Sequence, residues 1–150
     1  MHTELHLRAE FLNALTHGVG ALLSLIGGVT LITMASLWGS KWQLISAIVF
    51  SLSLIGLYTS STLYHSTHEP KAKGRLQILD HCMIYVLIAG SYTPFTLIAM
   101  REDGGWLIFG ITWTLALIGI IFKLFYTGRF EVLSTLIYLG TQPSHGRPLF

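Results

Sequence analysis

Four long stretches of this chain carry no Asp, Glu, Lys or Arg: residues 11–40, 42–68, 81–100 and 104–122. A helix needs roughly 20 apolar residues to cross about 30 Å of hydrocarbon, and each stretch has room for one. The spacing predicts transmembrane helices near 15–37, 43–64, 80–99 and 105–125. Strands of a membrane barrel would alternate apolar and polar residues with period two, and these runs do not. Runs 19–37 and 107–125 are apolar on every helix face, as a helix surrounded by lipid must be. Composition agrees. The chain is 52% hydrophobic and only 11% charged, against about a quarter charged in soluble domains. It cannot cover a water-facing surface. Cys82 stands alone, so no internal disulfide forms. A net charge of +2 without a long basic run excludes a nucleic-acid footprint. The expected fold is all-α, a polytopic transmembrane helix bundle with membrane lipids as its surroundings.

A fifth apolar run, residues 132–140, covers only half a bilayer, and the tail at 141–150 contains two prolines and an arginine. A lone half-helix in lipid would strand backbone polar groups. The expectation is therefore four complete spans plus a broken fifth. The membrane domain runs over 1–140 and a divergent tail over 141–150, in a chain that is truncated or ends in frameshifted sequence. A short interfacial helix is the other reading of the fifth run. Glu4 and Glu10, and a first apolar run too long for a signal-peptide core, argue against a cleavable leader.

Basic residues set the expected orientation. Arg8, Lys71, Lys73, Arg75, Lys123 and Arg129 fall on one side, Lys41 and Arg101 on the other. Six against two places the N-terminus in the cytoplasm and the protein in the cell (inner) membrane. Trp38, Trp42, Trp106 and Tyr92 then anchor the outer interface, and Lys123 snorkels to the inner headgroups. Gly20, Ser24 and Gly28 recur every four residues and form a small ridge suited to close helix packing.

Ionisable groups inside the spans mark function by default. Here they gather at one end. Glu10, Asn13 and His17 lie within about 60° on one face of the first helix. Ser61 and His65 stack one turn apart on the second, and Asp80 opens the third charge-free run. Imidazole and carboxylate are zinc ligands, and a catalytic zinc keeps three protein ligands and a water. His65 and Asp80 are two such groups, with His17 a possible third, and Ser61 is placed to hydrogen-bond a metal-bound water or an oxyanion. The bland alternatives are an interfacial His65 and an Asp80 that merely caps its helix. His68 and His81 are read as bland. No P-loop, GxGxxG, GxSxG, HExxH or CxxC occurs.

The stretch Ser61-Thr62-Leu63-Tyr64-His65, then Asp80, then Ala89-Gly90-Ser91-Tyr92-Thr93-Pro94-Phe95 resembles the hemolysin III family, as does the opening Glu10-Phe11-Leu12-Asn13-Ala14-Leu15-Thr16-His17-Gly18. That family belongs with the adiponectin and progestin receptors and, more distantly, the alkaline ceramidases. The resemblance implies seven transmembrane helices, a cytoplasmic N-terminus and a zinc ion near the cytoplasmic face. It carries the zinc-binding histidine onto His65, the second-helix serine onto Ser61 and the water-holding aspartate onto Asp80. Two more histidines belong to an HxxxH motif on the family's last helix. This chain's one HxxxH, His2-Thr3-Glu4-Leu5-His6, stands at the N-terminus and not on a last helix, so the chain is expected to bind zinc poorly and to be inactive alone. Three functions follow from the resemblance: a zinc-dependent hydrolase of acyl-amide lipids, a membrane-disrupting hemolysin, or a receptor-like protein without catalysis. Polarity confined to one end of each span suits a buried site better than a channel.

Overall fold

A computed structural model describes residues 2–126. It contains four helices, α1 (His2–Trp38), α2 (Lys41–Ser66), α3 (Pro70–Pro94) and α4 (Gly105–Tyr126), with a π-helical turn, Phe95–Ala99, continuing α3. Four segments are long and apolar enough to cross a membrane: Leu7–Trp38, Lys41–Ser66, Pro70–Ala99 and Gly105–Phe125. The all-helical class and the four complete spans are thus as the charge gaps predict. The fifth run and the tail lie outside the described residues.

Local chemistry fixes the ends. Between α1 and α2, Ser40 Oγ accepts from the Gln43 N–H at 3.3 Å and Gln43 Oε1 accepts from the Ser40 N–H at 2.7 Å. This reciprocal pair is a capping box, and it starts α2 sharply. Before α3, Glu69 accepts from the N–H groups of Lys71 (3.0 Å) and Ala72 (2.5 Å), with Pro70 at the first helical position. Helix α3 therefore begins ten residues before the expected position 80. A charge-free run marks the length embedded in hydrocarbon, whereas the helix continues through the interface, where Lys71, Lys73 and Arg75 can be solvated. Asp80 consequently lies inside α3 and does not cap it. Pro94 has no N–H to give to the carbonyl of residue 90, and the backbone widens into the π turn closed by Met100 N–H to Phe95 C=O at 2.9 Å. Gly104, at φ +82°, turns the chain into α4.

The helices pack in sequence: α1 on α2, α2 on α3, α3 on α4, with the π turn also touching α2 and α4. Their contacts are made by small and hydroxyl side chains. Ala89, Thr93, Thr96, Ser46 and Ser51 are almost wholly buried, while Leu22, Leu107 and Phe125 are exposed. Lipid tails are as apolar as leucine, so large side chains gain nothing by turning inward and small ones let backbones approach. The ridge on α1 faces α2: a Cβ on Gly20 would lie 2.6 Å from the Tyr58 ring, and one on Gly28 3.0 Å from Ser51 Cβ. Gly56 meets Met83, and Gly90 meets Ser53, across the α2–α3 seam. Buried hydroxyls close back onto their own helices, as Ser24 does to Gly20 C=O and Ser53 to Val49 C=O, both at 2.7 Å. Between α3 and α4, Trp113 Nε1 donates to Thr93 Oγ1 at 3.2 Å.

Candidate functional site

At the end of the bundle where α2 turns into α3, three helices bring their polar side chains together. Helix α1 supplies Glu10 and His17, seven residues and two turns apart on one face. Helix α2 supplies Ser61 and His65, one turn apart. The antiparallel packing of α1 on α2 then matches the pairs in register. His17 Nδ1 lies 2.5 Å from Ser61 Oγ, and His65 Nδ1 lies 3.1 Å from Glu10 Oε2. The two imidazoles meet edge to face, with ring centroids 5.5 Å apart.

Helix α3 adds a residue that its charge alone had assigned to the loop. Lys73 Nζ donates to Glu10 Oε2 at 2.8 Å and reaches the Tyr64 carbonyl at 3.4 Å. The ammonium also sits 4.8 Å from the centre of the Tyr64 ring. Glu10 thus bridges a histidine of α2 and a lysine of α3. The side chains of Glu10 and His65 are only 18% and 15% exposed, so this is a largely desolvated network. A sequence signal for Lys73 exists: it stands seven residues before Asp80, two turns along the same face of α3. Asn13 is not drawn in. It remains exposed, and among the described residues its side chain makes no hydrogen bond.

Asp80 is half-buried on the face of α3 that also carries Met83 and Gly90, and those two meet α2. Counting back from Met83 opposite Gly56, and from Gly90 opposite Ser53, brackets the α2 position level with Asp80 between Thr59 and Leu63. Ser61 is midway. Asp80 therefore lies at the depth of Ser61 and His17, about one turn deeper than His65, and no hydrogen bond or ion pair joins it to His65 among the described residues. His81, on the neighbouring face, has a buried Nδ1 without a partner among the described residues. The rest of the expected set, Ser61, His65, Glu10 and His17, forms one connected patch.

His65 has the environment of a metal-ligating imidazole. A carboxylate holds Nδ1, which fixes the ring and leaves Nε2 outside that bond. A zinc site needs three or four such donors, and among the described residues no group of three or more His, Cys, Asp or Glu side chains is arranged to hold a metal ion. The patch fits one oriented ligand and its support, not a complete metal centre.

The sequence profile of the family described as Haemolysin-III related matches residues 5–146. The chain is 48% identical over 133 residues to a protein of Bacillus subtilis (strain 168) named "Hemolysin-3 homolog", covering 89% of this chain and 62% of that protein. It is also 48% identical over 132 residues to "Hemolysin-3" of Bacillus cereus, covering 88% and 60%. A more distant similarity, 26% over 147 residues, joins it to the human "Monocyte to macrophage differentiation factor", covering 88% of this chain and 57% of that protein. The chain thus spans about three fifths of the length of these relatives. No solved structure matches it. With a match that takes in the polar patch, all four membrane-crossing helices and the Ala89-to-Phe95 stretch, this chain is a membrane protein of the haemolysin-III related family.

Proposed function

We propose that the chain is inserted in the cell (inner) membrane with its N-terminus cytoplasmic, and that its polar patch is one wall of a hydrolytic site for acyl-amide lipids. The observation that carries this reading is the Glu10–His65 pair, a carboxylate-oriented imidazole in a largely buried polar patch at one end of the bundle. Ionisable side chains within a span are expensive, and function is their default explanation. In this reading Glu10 and Lys73 hold His65 in place. Ser61 donates a hydrogen bond to the substrate carbonyl oxygen, with His17 fixing its hydroxyl. Asp80, level with Ser61, takes the proton of the attacking water. Zinc enters only with donors from beyond the described residues, so the described part of the chain does not by itself complete a metal-dependent reaction.

The names of the bacillary relatives support a second reading, membrane disruption. A pore needs a continuous polar stripe along the whole length of a helix, whereas here the His, Asp and Glu side chains of α1, α2 and α3 gather at one end, buried hydroxyls beyond them such as Ser53 and Thr93 close onto their own helix carbonyls, and α4 has a single charged residue, Lys123. One experiment separates the readings. Residues 5–146 are grafted in place of the matched segment of the Bacillus subtilis relative, and the chimera is reconstituted into vesicles loaded with dye and a ceramide-like amide. Zinc-dependent release of fatty acid, lost in His65→Ala and Asp80→Ala while the dye stays inside, is the expected result. Dye leakage without fatty acid would replace the hydrolase reading with the pore. Release of neither would leave a receptor-like protein.

A further inference from the structure

The polar patch lies at the head of an apolar groove. His17, which holds the Ser61 hydroxyl, meets the Tyr58 ring edge to face, with centroids 6.0 Å apart. Tyr58 is also a wall of a groove between α1 and α2 that runs away from the patch toward the other end of the bundle. Gly20, Ser24, Gly27 and Leu31 of α1 and Leu54 and Tyr58 of α2 line it among others, and its volume is about 460 Å³. Ligand sites fall at roughly 300–1,000 Å³ and are mostly apolar. Along α1 the groove extends from Gly20 to Leu31, about 16 Å at 1.5 Å per residue.

Its walls offer hydrocarbon contacts only. None of its lining residues is charged. The two serine hydroxyls on its walls are turned away from it: Ser24 Oγ donates to the Gly20 carbonyl at 2.7 Å, and Ser51 Oγ is buried against Gly28. The glycines divide in the same way. A Cβ on Gly20 or Gly28 would press on α2, so close packing explains both, whereas a Cβ on Gly27 would meet nothing within 4 Å. What the missing side chain of Gly27 leaves is room in the groove. The polar groups stand at one end, beyond Tyr58, with Ser61 three residues further along α2 and His17 three residues before Gly20 on α1. An acyl amide has the same order, a polar carbonyl followed by a length of hydrocarbon.

We propose that this groove is the acyl-chain subsite of the polar patch. The amide carbonyl of the substrate lies at Ser61, and its acyl chain passes Tyr58 and runs along Gly27 to Leu31, which selects long-chain over short-chain amides. The head-group assignment rests on the hydrolytic reading above, while the chain assignment rests on the groove and its junction with His17. Photolabelling tests it on the purified 150-residue protein reconstituted in phosphatidylglycerol vesicles. The probe is a ceramide-like amide with a diazirine midway along its acyl chain, compared with a phosphatidylcholine carrying the same chain. Peptide mapping should place the amide's label within residues 20–31 and 50–58, with several-fold less label from the phosphatidylcholine. Gly27→Leu fills the groove without touching a neighbour and should lower labelling several-fold. Gly110→Leu adds the same bulk to open space on α4 and should leave it unchanged. Label on α4, equal label from both probes, or label unmoved by Gly27→Leu would overturn the subsite. Fatty-acid release is read separately in the chimera. If labelling holds while no acid is released, the groove stands and the hydrolytic reading falls. If release proceeds equally for dodecanoyl and butanoyl amides and ignores Gly27→Leu, hydrolysis stands and the subsite falls.

Discussion

At the scale of single residues, Glu10 has the most to lose. Its carboxylate accepts from Lys73 at 2.8 Å and lies 3.1 Å from His65 Nδ1, so removing it strands a partly buried ammonium and frees a ring. Hydrogen bonds to charged groups contribute about 1.5–3 kcal/mol. Glu10→Ala is therefore expected to destabilise the bundle by about that amount, read as an earlier midpoint when the protein is titrated with SDS in mixed micelles. Asn13→Ala, at an exposed position of the same face, should stay within about 0.5 kcal/mol. The contrast separates what helical periodicity can see from what it cannot. Positions 10, 13 and 17 share a face by arithmetic alone, and the pairings of His17 with Ser61 and of Glu10 with His65 follow once two antiparallel helices are in register. Whether a face is turned toward a neighbour at every level is decided by packing, and there Asn13 falls outside. Lys73 enters the sequence reading as a charge counted for orientation, and its place two turns before Asp80 gains meaning only when α3 is known to include it. Its part in the patch depends on where α3 begins.

At the scale of elements, that beginning is the instructive difference. A run without charges reports how much of a helix is in hydrocarbon, while caps report where the helix starts, and Glu69-Pro70 is such a start signal ten residues upstream of Asp80. The seams between helices were more legible, because close approach in lipid requires small residues. Gly20, Ser24 and Gly28 show that spacing openly. Gly56 and Gly90 gave no periodic signal, yet each is pressed against a neighbour's side chain. Gly90→Ala would drive its methyl into Ser53 and is expected to cost about 1–3 kcal/mol by overpacking. Gly110→Ala meets nothing within 4 Å and should be neutral or gain up to about 1 kcal/mol of helix propensity. The same SDS titration reads both. Equal effects at the two sites would mean that α2 and α3 are not in the close contact described here.

At the scale of the whole molecule, the four helices form a sequential row with the polar patch at one end and the Trp42 cluster at the other. The row supplies one well-oriented histidine and a level aspartate, which is too few donors for tight zinc. Purified protein is therefore expected to hold well under one zinc per chain by atomic emission after desalting, and one-to-one zinc would mean that His17 or a residue beyond 126 completes a set. Which end of the row faces the cytoplasm is a separate matter, set by charge. The turns at residues 67–69 and 100–104 lie at opposite ends of α3 and its π turn. Lys71, Lys73 and Arg75 crowd the first, while Arg101 at the second is offset by Glu102 and Asp103. Basic residues in short loops stay on the cytoplasmic side. A reporter fused after Lys73 is thus expected to be active in the cytoplasm and one fused after Glu102 outside it. Identical readings would mean that Pro70–Ala99 does not cross the membrane. The reversed pair would keep the helices but move Glu10, His17, Ser61 and His65 to the outer face, where a site for lipids presented from the cytoplasmic leaflet has no access to them.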